Sequence, residues 1–352
     1  MRILNIMMSR DLGGIQQSFV DYSDALALCG DEVINISSIG AKINSRHARK
    51  YSLPNLAPWC VFSKLYLKIL TILLKPDIII CHGNRAISFA SEFRFGIFDK
   101  NIPIVGVAHN YSYKHLKKCD YVIALTENLQ EHLVARGIAS KQILRIPNMA
   151  RVGREYKQKE FSSPAAGSPE AGLPVVIGSF GRFVAKKGFV YLIEAINILK
   201  QNGHDVRLVL GGSGQDREML KEKVQELKLE GEVSIEGWVT DKDAFFQQMD
   251  IFCLPSVVEP FGIILLEAME HSKPIIATKS GGPEEVIRDN VDGLLARVES
   301  SEDLARKIEQ LIMDQDLAHR LARSGYLRLK ENYDINIVAK NLSNSLNRLI
   351  KK

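Results

Sequence analysis

The 352-residue sequence predicts an α/β protein built from two doubly wound domains. The chain is longer than one hydrophobic core usually supports, so two domains of ordinary size are the natural expectation. Short runs rich in isoleucine and valine recur along it, separated by stretches with helical patterning. The runs are almost continuously apolar, which is typical of parallel strands buried on both faces.

Five apolar runs predict the strands of an N-terminal domain, to which we assign residues 1–160. The segment 161–172, FSSPAAGSPEAG, crowds small residues, proline and glycine together, which is typical of a linker. Five further runs predict a second domain at 173–333. The ten predicted strands are Arg2–Met8, Val33–Ser37, Asp77–Cys81, Pro103–Ala108, Tyr121–Leu125, Val175–Ser179, Arg207–Leu210, Val233–Glu236, Ile251–Leu254 and Pro274–Thr278.

The last segment, 334–352, carries apolar residues at helical spacing, which predicts an amphipathic helix packed on one of the domains. Doubly wound sheets bind ligands beyond the carboxyl ends of their strands. We therefore expect the two domains to face each other and to bind ligands in the cleft between them.

Composition narrows the class of protein. With 46% apolar and 25% charged residues, the chain belongs to the soluble globular class. Its five cysteines are widely spaced, without the spacing of metal ligands, and are interpreted as reduced core residues. No apolar run approaches the length of a membrane span or of a signal-peptide core, so we expect a cytoplasmic protein.

Positive charge is concentrated in the first half of the chain. Residues 1–150 hold 18 lysines and arginines against 11 acids, whereas the remainder of this +5 chain is nearly neutral. This asymmetry suits an anionic acceptor or an anionic membrane surface, and ordinary surface charge is the alternative. The apolar segment Phe62–Lys75, with interleaved lysines, is either an interfacial helix in peripheral contact with a membrane or an ordinary packed helix. We expect no nucleic-acid partner.

The most specific segment, LPSVVEPFGIILLEAM, follows a predicted strand. A helix that starts near Gly262 leaves the backbone N–H groups of Phe261, Gly262 and Ile263 outside the helical ladder, ready for a phosphate or a sugar hydroxyl. Glu259 in the loop and Glu267 in the helix can accept hydrogen bonds from hydroxyl groups. The alternative is that both are solvated acids.

This segment resembles the Glu-x-Phe-Gly-x-x-x-x-Glu signature of the retaining glycosyltransferases of family GT4, which have the GT-B fold of two Rossmann-like domains facing across a cleft. The resemblance covers most of the chain and is strongest from Gly178 to Gly293. It implies that Glu259 is a catalytic residue contacting sugar hydroxyls, and that Glu267 holds the ribose of a nucleotide-diphosphate sugar. The sequence departs from the family at 147–150, where Pro-Asn-Met-Ala stands in place of Pro-Asn-Gly, which leaves the geometry of the hinge open.

A basic segment follows the first strand of the second domain. It contains Gly-Arg at Arg182 and Lys-Gly at Lys187, as the family does. An arginine and a lysine in a site with little water can offset the charge of a departing diphosphate, so we assign both to the donor diphosphate. Lys186 is interpreted as a solvated neighbour, and a plain surface face is the alternative for the whole segment.

Two glycine pairs also follow strands. Gly212 lies in Leu-Gly-Gly-Ser-Gly, where the family has Gly-x-Gly, and it is assigned to the donor, with a simple tight turn as the alternative. Gly13 and Gly14 open a helix after the first strand and resemble the family's Gly-Gly loop facing the diphosphate and acceptor. The pattern is not Gly-x-Gly-x-x-Gly, which argues against a dinucleotide dehydrogenase.

Two histidines follow strands of the first domain. His109 ends the run from Ile104, in the position of the family's histidine near the sugar, and we assign it to a donor hydroxyl or to the reaction centre. His82 is a weaker candidate for lining the acceptor side of the cleft.

One motif resembles a metal site. Asp241-Lys-Asp243 matches the Asp-x-Asp motif of another glycosyltransferase fold, but it precedes a helical pattern, so one of these acids more plausibly caps a helix. We expect no metal and no other cofactor.

These observations predict a metal-independent retaining glycosyltransferase that transfers a sugar from a nucleotide-diphosphate sugar to a glycan or lipid-linked acceptor. Cell-envelope polysaccharide or lipopolysaccharide synthesis is the leading interpretation, and synthesis of a soluble disaccharide or storage glucan is the alternative. The rival functions are a nucleotide-sugar epimerase or hydrolase on the same fold and an inactive nucleotide-sugar-binding subunit.

Overall fold

The computed structural model describes residues 1–9, 13–41, 48–54, 60–92, 102–158 and 174–350. It divides into two compact units. The N-terminal unit comprises Met1–Arg151 together with Asn332–Lys352, and the C-terminal unit comprises Val152–Glu331. The predicted linker at 161–172 lies outside the described residues.

The N-terminal unit is built on a fully parallel seven-stranded sheet with the order β3-β2-β1-β4-β5-β6-β7. All residues of β4 and β5 are buried, as expected for parallel strands covered on both faces. Its elements are β1 Arg2–Met7, α1 Gly14–Leu28, β2 Glu32–Ser38, β3 Arg49–Leu53, α2 Val61–Leu74, β4 Ile78–His82, α3 Asn84–Ser91, β5 Ile104–Ala108, β6 Tyr121–Ala124, α4 Glu127–Ala135 and β7 Ile143–Arg145.

The C-terminal unit repeats this architecture with a parallel six-stranded sheet in the order β10-β9-β8-β11-β12-β13. Apolar residues of its strands and helices form a continuous core. Its elements are β8 Val175–Arg182, α5 Phe189–Gln201, β9 Val206–Ser213, α6 Arg217–Glu226, β10 Val233–Ile235, α7 Lys242–Gln247, β11 Ile251–Leu254, α8 Ile263–Glu270, β12 Ile275–Thr278, α9 Pro283–Val286, β13 Leu294–Ala296, α10 Ser301–Met313 and α11 Gln315–Arg328.

The predicted fold class is confirmed, and each of the ten predicted runs overlaps a strand of one of the two sheets. Three strands were missed: β3, which is charged and largely exposed, and β7 and β13, which have three residues each. Each lies at the edge of its sheet, where strands are often short. β3 lacks a continuous apolar pattern, whereas β13 is apolar and buried but has too few residues to be recognised as a strand.

The segment before the second sheet packs within the C-terminal unit. The backbone amide of Gly153 donates a hydrogen bond to Oε1 of Glu270 (3.0 Å), and the hydroxyl of Tyr326 donates one to the carbonyl of Arg154 (2.6 Å). These contacts explain why the C-terminal unit begins at Val152, ahead of the position assigned from the sequence.

A final helix, α12 (Ile335–Ile350), belongs to the N-terminal unit. Its apolar face is buried and packs against α1, and the hydroxyl of Ser343 donates a hydrogen bond to Oδ2 of Asp31 (2.9 Å). The predicted amphipathic tail is therefore a helix of the first unit, reached only after the chain has passed through the second. None of the helices in the described part of the chain is long and apolar enough to cross a membrane.

Both sheets reverse their strand order next to their first strand, between β1 and β4 in one unit and between β8 and β11 in the other. Open α/β sheets bind ligands at this point, beyond the carboxyl ends of the strands. A ligand site in each unit is therefore expected at the loops that follow these strands.

Candidate active site

Two loops of the C-terminal unit meet at the switch point of its sheet. Gly188, which precedes α5, has a φ of +66°, and a Cβ at this position would lie 2.0 Å from the carbonyl oxygen of Pro255. The amide of Val257 donates a hydrogen bond to the carbonyl of Lys186 (2.9 Å). Only glycine permits this approach, so the loops after β8 and β11 form one connected surface.

An ion pair joins the same two loops. Nζ of Lys187 contacts Oε2 of Glu259, and the two side chains are only 19% and 12% exposed. The backbone of Glu259 is itself fixed, because its amide donates to the carbonyl of Ser280 (3.0 Å) and its carbonyl accepts from the amide of Gly282 (2.7 Å). Two of the predicted site residues, from distant parts of the sequence, are therefore in direct contact.

Positive charge exceeds negative charge at this point. Burial and repulsion by Arg182 and Lys187 lower the pKa of Lys186, while the carboxylate of Glu259 opposes that shift. Arg182 is exposed at the end of β8. Three cations thus lie near a single carboxylate, an arrangement that attracts a multiply charged anion. Lys186, interpreted from the sequence as a solvated neighbour, belongs to this cluster electrostatically.

Helix α8 begins beside the cluster, at Gly262. The φ of Gly262 is +83°, and a Cβ there would lie 3.1 Å from side-chain atoms of Leu254 and Leu265. The structure thus places a helix start after Phe261, which is buried, with Ile263 as the first helical residue. The first N–H groups of a helix have no partner in the helical ladder and favour negative charge.

Glu267 lies one turn into α8 and is half satisfied. Its Oε1 accepts a hydrogen bond from Nζ of Lys242 (2.6 Å), the first residue of α7. Its Oε2 is buried without a hydrogen-bond partner, which costs about 1–3 kcal/mol for a polar atom. A hydroxyl donor would relieve that cost. Lys242 was not singled out from the sequence, where it is one of many surface lysines.

Gly212 has a structural reason to be glycine. Its φ is +152°, and a Cβ would lie 2.0 Å from the carbonyl oxygen of Gly181 on the neighbouring strand. The tight approach of β8 and β9 therefore accounts for this residue, and its assignment to the donor stays a prediction.

The two acids of the Asp-x-Asp motif have protein partners. Asp241 caps α7, its Oδ1 accepting a hydrogen bond from the amide of Ala244 (3.0 Å). Oδ1 of Asp243 contacts Nε2 of His271 (3.0 Å) and its carboxylate forms an ion pair with Arg154, interactions that lower the pKa of Asp243. The predicted capping role is confirmed for Asp241. In the described residues, no group of three or more histidine, cysteine, aspartate or glutamate side chains is arranged to hold a metal ion.

The loop after β1 in the N-terminal unit opens α1. Gly13 precedes the helix, and its carbonyl accepts hydrogen bonds from the amides of Gln16 (3.0 Å) and Gln17 (3.2 Å). Gly14 is the first helical residue, and both glycines are exposed. The structure thus places the two predicted glycines at a helix start beside the switch point of the first sheet.

Two histidine rings meet at the ends of β4 and β5. Nδ1 of His82 lies 3.0 Å from Nε2 of His109, and the two rings are stacked with their centroids 5.1 Å apart. Burial lowers the pKa of His109 to about 4, and burial together with the neighbouring His109 lowers the pKa of His82 well below its usual value. Both rings are therefore neutral at physiological pH.

His109 borders a small pocket of the N-terminal unit, whereas His82 lies beneath it and is 1% exposed. Polar side chains of Asn84, Asn110 and Ser112 also line this pocket. His82 is the weaker of the two candidates from the sequence, for lining the acceptor side of the cleft. The structure corrects this, because burial leaves His82 in contact with His109 and with aromatic rings.

Most of each unit matches a protein-family model. Residues 12–153 match the model described as Glycosyltransferase Family 4, and residues 166–328 match the model described as Glycosyl transferases group 1. The chain is 30% identical over 338 residues to the lipopolysaccharide core biosynthesis glycosyltransferase LpsE of Rhizobium meliloti, covering 93% of both proteins. The chain belongs to glycosyltransferase family 4. It is accordingly a transferase enzyme, as predicted.

Other relatives and solved structures agree with this assignment. The capsular polysaccharide biosynthesis glycosyltransferase CapM of Staphylococcus aureus is 24% identical over 66% of this chain and 62% of its own length. The structure of HepE from Anabaena, solved with UDP and glucose, matches with a TM-score of 0.82 at 20% identity, over 99% of this chain and all of that one. Sucrose-phosphate synthase from Thermosynechococcus elongatus matches with a TM-score of 0.81 at 19% identity, over 99% of each chain. These structural matches support the GT-B fold.

Proposed function

We propose that this family 4 glycosyltransferase is a metal-independent, retaining enzyme that uses a nucleotide-diphosphate sugar as donor. The observation that carries the proposal is the cluster of Arg182, Lys186 and Lys187 around Glu259 at the switch point of the second sheet. A diphosphate leaving group needs its developing charge offset, and cations beside it supply this without a metal ion. Lys187 is partly buried and held by its ion pair with Glu259, whereas Arg182 and Lys186 are exposed. HepE, which shares the fold, has been solved with UDP-glucose.

The remaining predicted donor contacts fit the same ligand. The unpartnered Oε2 of Glu267 can accept a hydrogen bond from a ribose hydroxyl, and the start of α8 offers N–H groups to a phosphate or sugar oxygen. Glu259, as the catalytic carboxylate, contacts the transferred sugar while Lys187 turns toward the diphosphate. Gly212 is retained as a donor contact in this proposal.

In the N-terminal unit, Gly13, Gly14 and His109 are the proposed contributors. His109 has a pKa of about 4, so it is a weak base at neutral pH. We therefore assign it a hydrogen bond to a ligand oxygen and no proton transfer.

In the proposed reaction the acceptor hydroxyl attacks the anomeric carbon on the face from which the diphosphate departs. The new glycosidic bond forms as the bond to the diphosphate breaks, and the hydroxyl proton passes to an oxygen of the leaving diphosphate. The anomeric configuration is retained, and no side-chain nucleophile is required. An inverted product, identified by NMR of the anomeric proton, would refute this mechanism.

The proposed acceptor is a glycan or lipid-linked intermediate of cell-envelope polysaccharide or lipopolysaccharide synthesis in the cytoplasm. The names of two relatives, the lipopolysaccharide core enzyme LpsE and the capsule enzyme CapM, support this class. A lipid-linked acceptor places the enzyme at the inner face of the cytoplasmic membrane, and one helix of the N-terminal unit suits that location.

That helix is α2, whose outward face is apolar. Side chains at one face of α2 are 37–79% exposed, whereas the opposite face is buried. Helices on protein surfaces normally show the reverse pattern, with polar residues facing outward. The exposed side chains are Val61, Phe62, Leu65, Tyr66, Ile69, Ile72 and Leu73. Together with the net positive charge of residues 1–150, this face supports peripheral contact with an anionic lipid surface.

The donor proposal is tested by thermal unfolding with UDP-, GDP- and ADP-sugars, each with and without EDTA, on wild type, Glu267→Ala and the control Glu222→Ala. Glu222 lies exposed on α6 of the same unit. We expect one nucleotide sugar to raise the melting temperature of wild type and the control, independently of EDTA, and not that of Glu267→Ala. Loss of stabilisation in EDTA would refute metal independence, and no shift with any sugar would contradict the proposed donor site. Stabilisation without turnover of any acceptor would favour the inactive nucleotide-sugar-binding subunit.

Turnover of the donor distinguishes a transferase from an epimerase or hydrolase. An epimerase or hydrolase consumes the donor without a second substrate, so donor consumption by the purified enzyme is measured by NMR with no acceptor present. We expect slow background hydrolysis only. Rapid acceptor-independent turnover would replace the transferase proposal by a nucleotide-sugar epimerase or hydrolase.

A further inference from the structure

The proposed function uses His109 but gives no role to the ring beneath it. His82, the last residue of β4, is 1% exposed and is enclosed by three rings. Phe19 and Tyr22 of α1 lie perpendicular to it, with centroids 5.5 Å and 5.1 Å away, and His109 is stacked on it at 5.1 Å. These contacts hold the imidazole of His82 in one orientation, with Nδ1 directed at His109.

The bond between the two histidines restricts how each carries its proton. Neutral imidazole has one N–H donor and one bare acceptor nitrogen, so a bond between two neutral rings needs the donor on one and the acceptor on the other. The distance of 3.0 Å between Nδ1 of His82 and Nε2 of His109 is that of a formed hydrogen bond. Two arrangements satisfy this distance, with either His82 or His109 as the donor. The second nitrogen of each ring carries a proton in one arrangement and is bare in the other.

The second nitrogen of His82 distinguishes these arrangements. Nε2 of His82 is buried and has no hydrogen-bond partner. If His109 were the donor, this atom would carry a buried N–H without an acceptor, and among backbone groups an orphaned buried N–H is rarer than an under-satisfied acceptor. If His82 is the donor, the buried atom is a bare nitrogen among aromatic rings.

We propose that His82 is a positioning residue that donates a hydrogen bond from Nδ1 to Nε2 of His109 and thereby fixes His109 in the tautomer protonated at Nδ1. Nδ1 of His109 is then its only N–H, and it has no partner in the described chain. His109 therefore presents a neutral hydrogen-bond donor, suited to a hydroxyl oxygen. This role rests on the proposed function in one respect, that the oxygen belongs to the transferred sugar or the acceptor.

The tautomer is measured directly on the full-length protein without any ligand. The enzyme is prepared with ¹⁵N-labelled imidazole rings, and the ring nitrogens of its eight histidines are observed by long-range ¹⁵N–¹H correlation at neutral pH. Spectra of His109→Gln and His82→Asn assign the two rings. We expect both rings to be protonated at Nδ1. Protonation of His109 at Nε2 in wild type would overturn the proposal.

Variants of His82 test whether it sets that tautomer. In His82→Leu the donor is lost, so His109 should become a mixture of tautomers. In His82→Asn the amide nitrogen lies close to the former Nδ1, so His109 should keep its proton on Nδ1. Tyr22→Phe is the matched control, because it removes a buried hydroxyl that has no hydrogen-bond partner while keeping the ring that packs on His82. An unchanged His109 tautomer in His82→Leu would overturn the proposal, and the wild-type spectrum decides it if that variant does not fold.

Binding shows whether the tautomer matters for the sugar. The probes are UDP-glucose and UDP, and calorimetry measures the affinity of the protein for each. The affinity for UDP-glucose divided by the affinity for UDP reports the contribution of the sugar. We expect the ratio to fall about tenfold in His109→Gln and His82→Leu, the scale of one hydrogen bond, and to recover in His82→Asn. A ratio lowered in His109→Gln but not in His82→Leu would contradict the positioning role. If neither probe binds wild type, the choice of donor fails, whereas the spectra still decide the role of His82.

Discussion

The two units have the same strand order around their switch points, but the side chains there are charged in one unit and neutral in the other. In the C-terminal unit, three cations and a carboxylate lie at the joined loops after β8 and β11. In the N-terminal unit, the ends of β4 and β5 carry two histidines that burial keeps neutral. The same scaffold therefore supports a site suited to a charged group and one suited to uncharged hydroxyls. The difference lies in loop residues and in burial.

Removal of Lys187 is expected to have the largest effect, because it takes away a cation and leaves Glu259 buried without its partner. Lys187→Ala should lower kcat by roughly 10²–10³-fold, the usual cost of losing one charge-stabilising group. The matched control is Lys200→Ala, which breaks another lysine–glutamate pair of the same unit, with Glu232. Steady-state kinetics with the nucleotide sugar that stabilises wild type measure both. Equal activity of the two variants would contradict a role for Lys187 in stabilising charge during the reaction.

Substitution of Gly188 tests the connection between the two charged loops. Gly188→Ala forces a side chain into a φ of +66° and against the carbonyl of Pro255, so we expect a loss of about 3 kcal/mol in the free energy of unfolding. Gly203→Ala is the control, because Gly203 has a similar φ of +87° but no atom within 4 Å of a Cβ. Denaturant unfolding compares the two variants. If both lose the same stability, backbone strain alone explains the effect, and the approach to Pro255 contributes nothing.

The neutral site predicts a pH dependence of stability. The pKa of His109 is about 4 in the folded protein and near 6.5 when unfolded, so the unfolded chain binds more protons between these values. Stability is retained above pH 6.5 and falls as the pH drops toward 4, by on the order of 2 kcal/mol from this ring. Urea unfolding of wild type and His109→Gln from pH 7.5 to 4.5 measures the difference. Parallel curves for the two proteins would contradict burial of a neutral ring.

The smallest expected effect concerns α2. Leu73→Ser should lower the partition constant for vesicles containing anionic phosphatidylglycerol by about tenfold, the scale of one large apolar side chain. Met313→Ser is the matched control, because Met313 is 74% exposed on the C-terminal unit, comparable with 71% for Leu73. Sedimentation with the vesicles at low salt gives the bound fraction. Equal binding of the two variants, or no binding of wild type, would exclude α2 as a membrane surface.

The charged site was largely predictable from the sequence because its residues lie in two short segments that follow strands. Arg182, Lys187, Glu259 and Glu267 were each assigned from their spacing and from the resemblance to the family. The close approach of Gly188 to Pro255 was not predictable, since it depends on how two distant loops pack.

The neutral site was predictable only in part. His109 was assigned, but the burial of His82 and its bond to His109 depend on the register of β4 and β5 and on the packing of α1. A lone histidine after an apolar run gives no indication of which ring it will contact. Charged loop motifs can thus be recognised in a sequence, whereas contacts between buried side chains can be identified only once the fold is known.

The position of α12 has a consequence for how the protein is made. The helix α12 belongs to the N-terminal unit but follows the whole C-terminal unit in the chain. The ribosome therefore synthesises every strand of the first sheet long before the helix that packs on α1 has been translated. During synthesis the second unit can complete its core first, and a chain that stops early at residue 331 lacks part of the first unit although it contains the full second one.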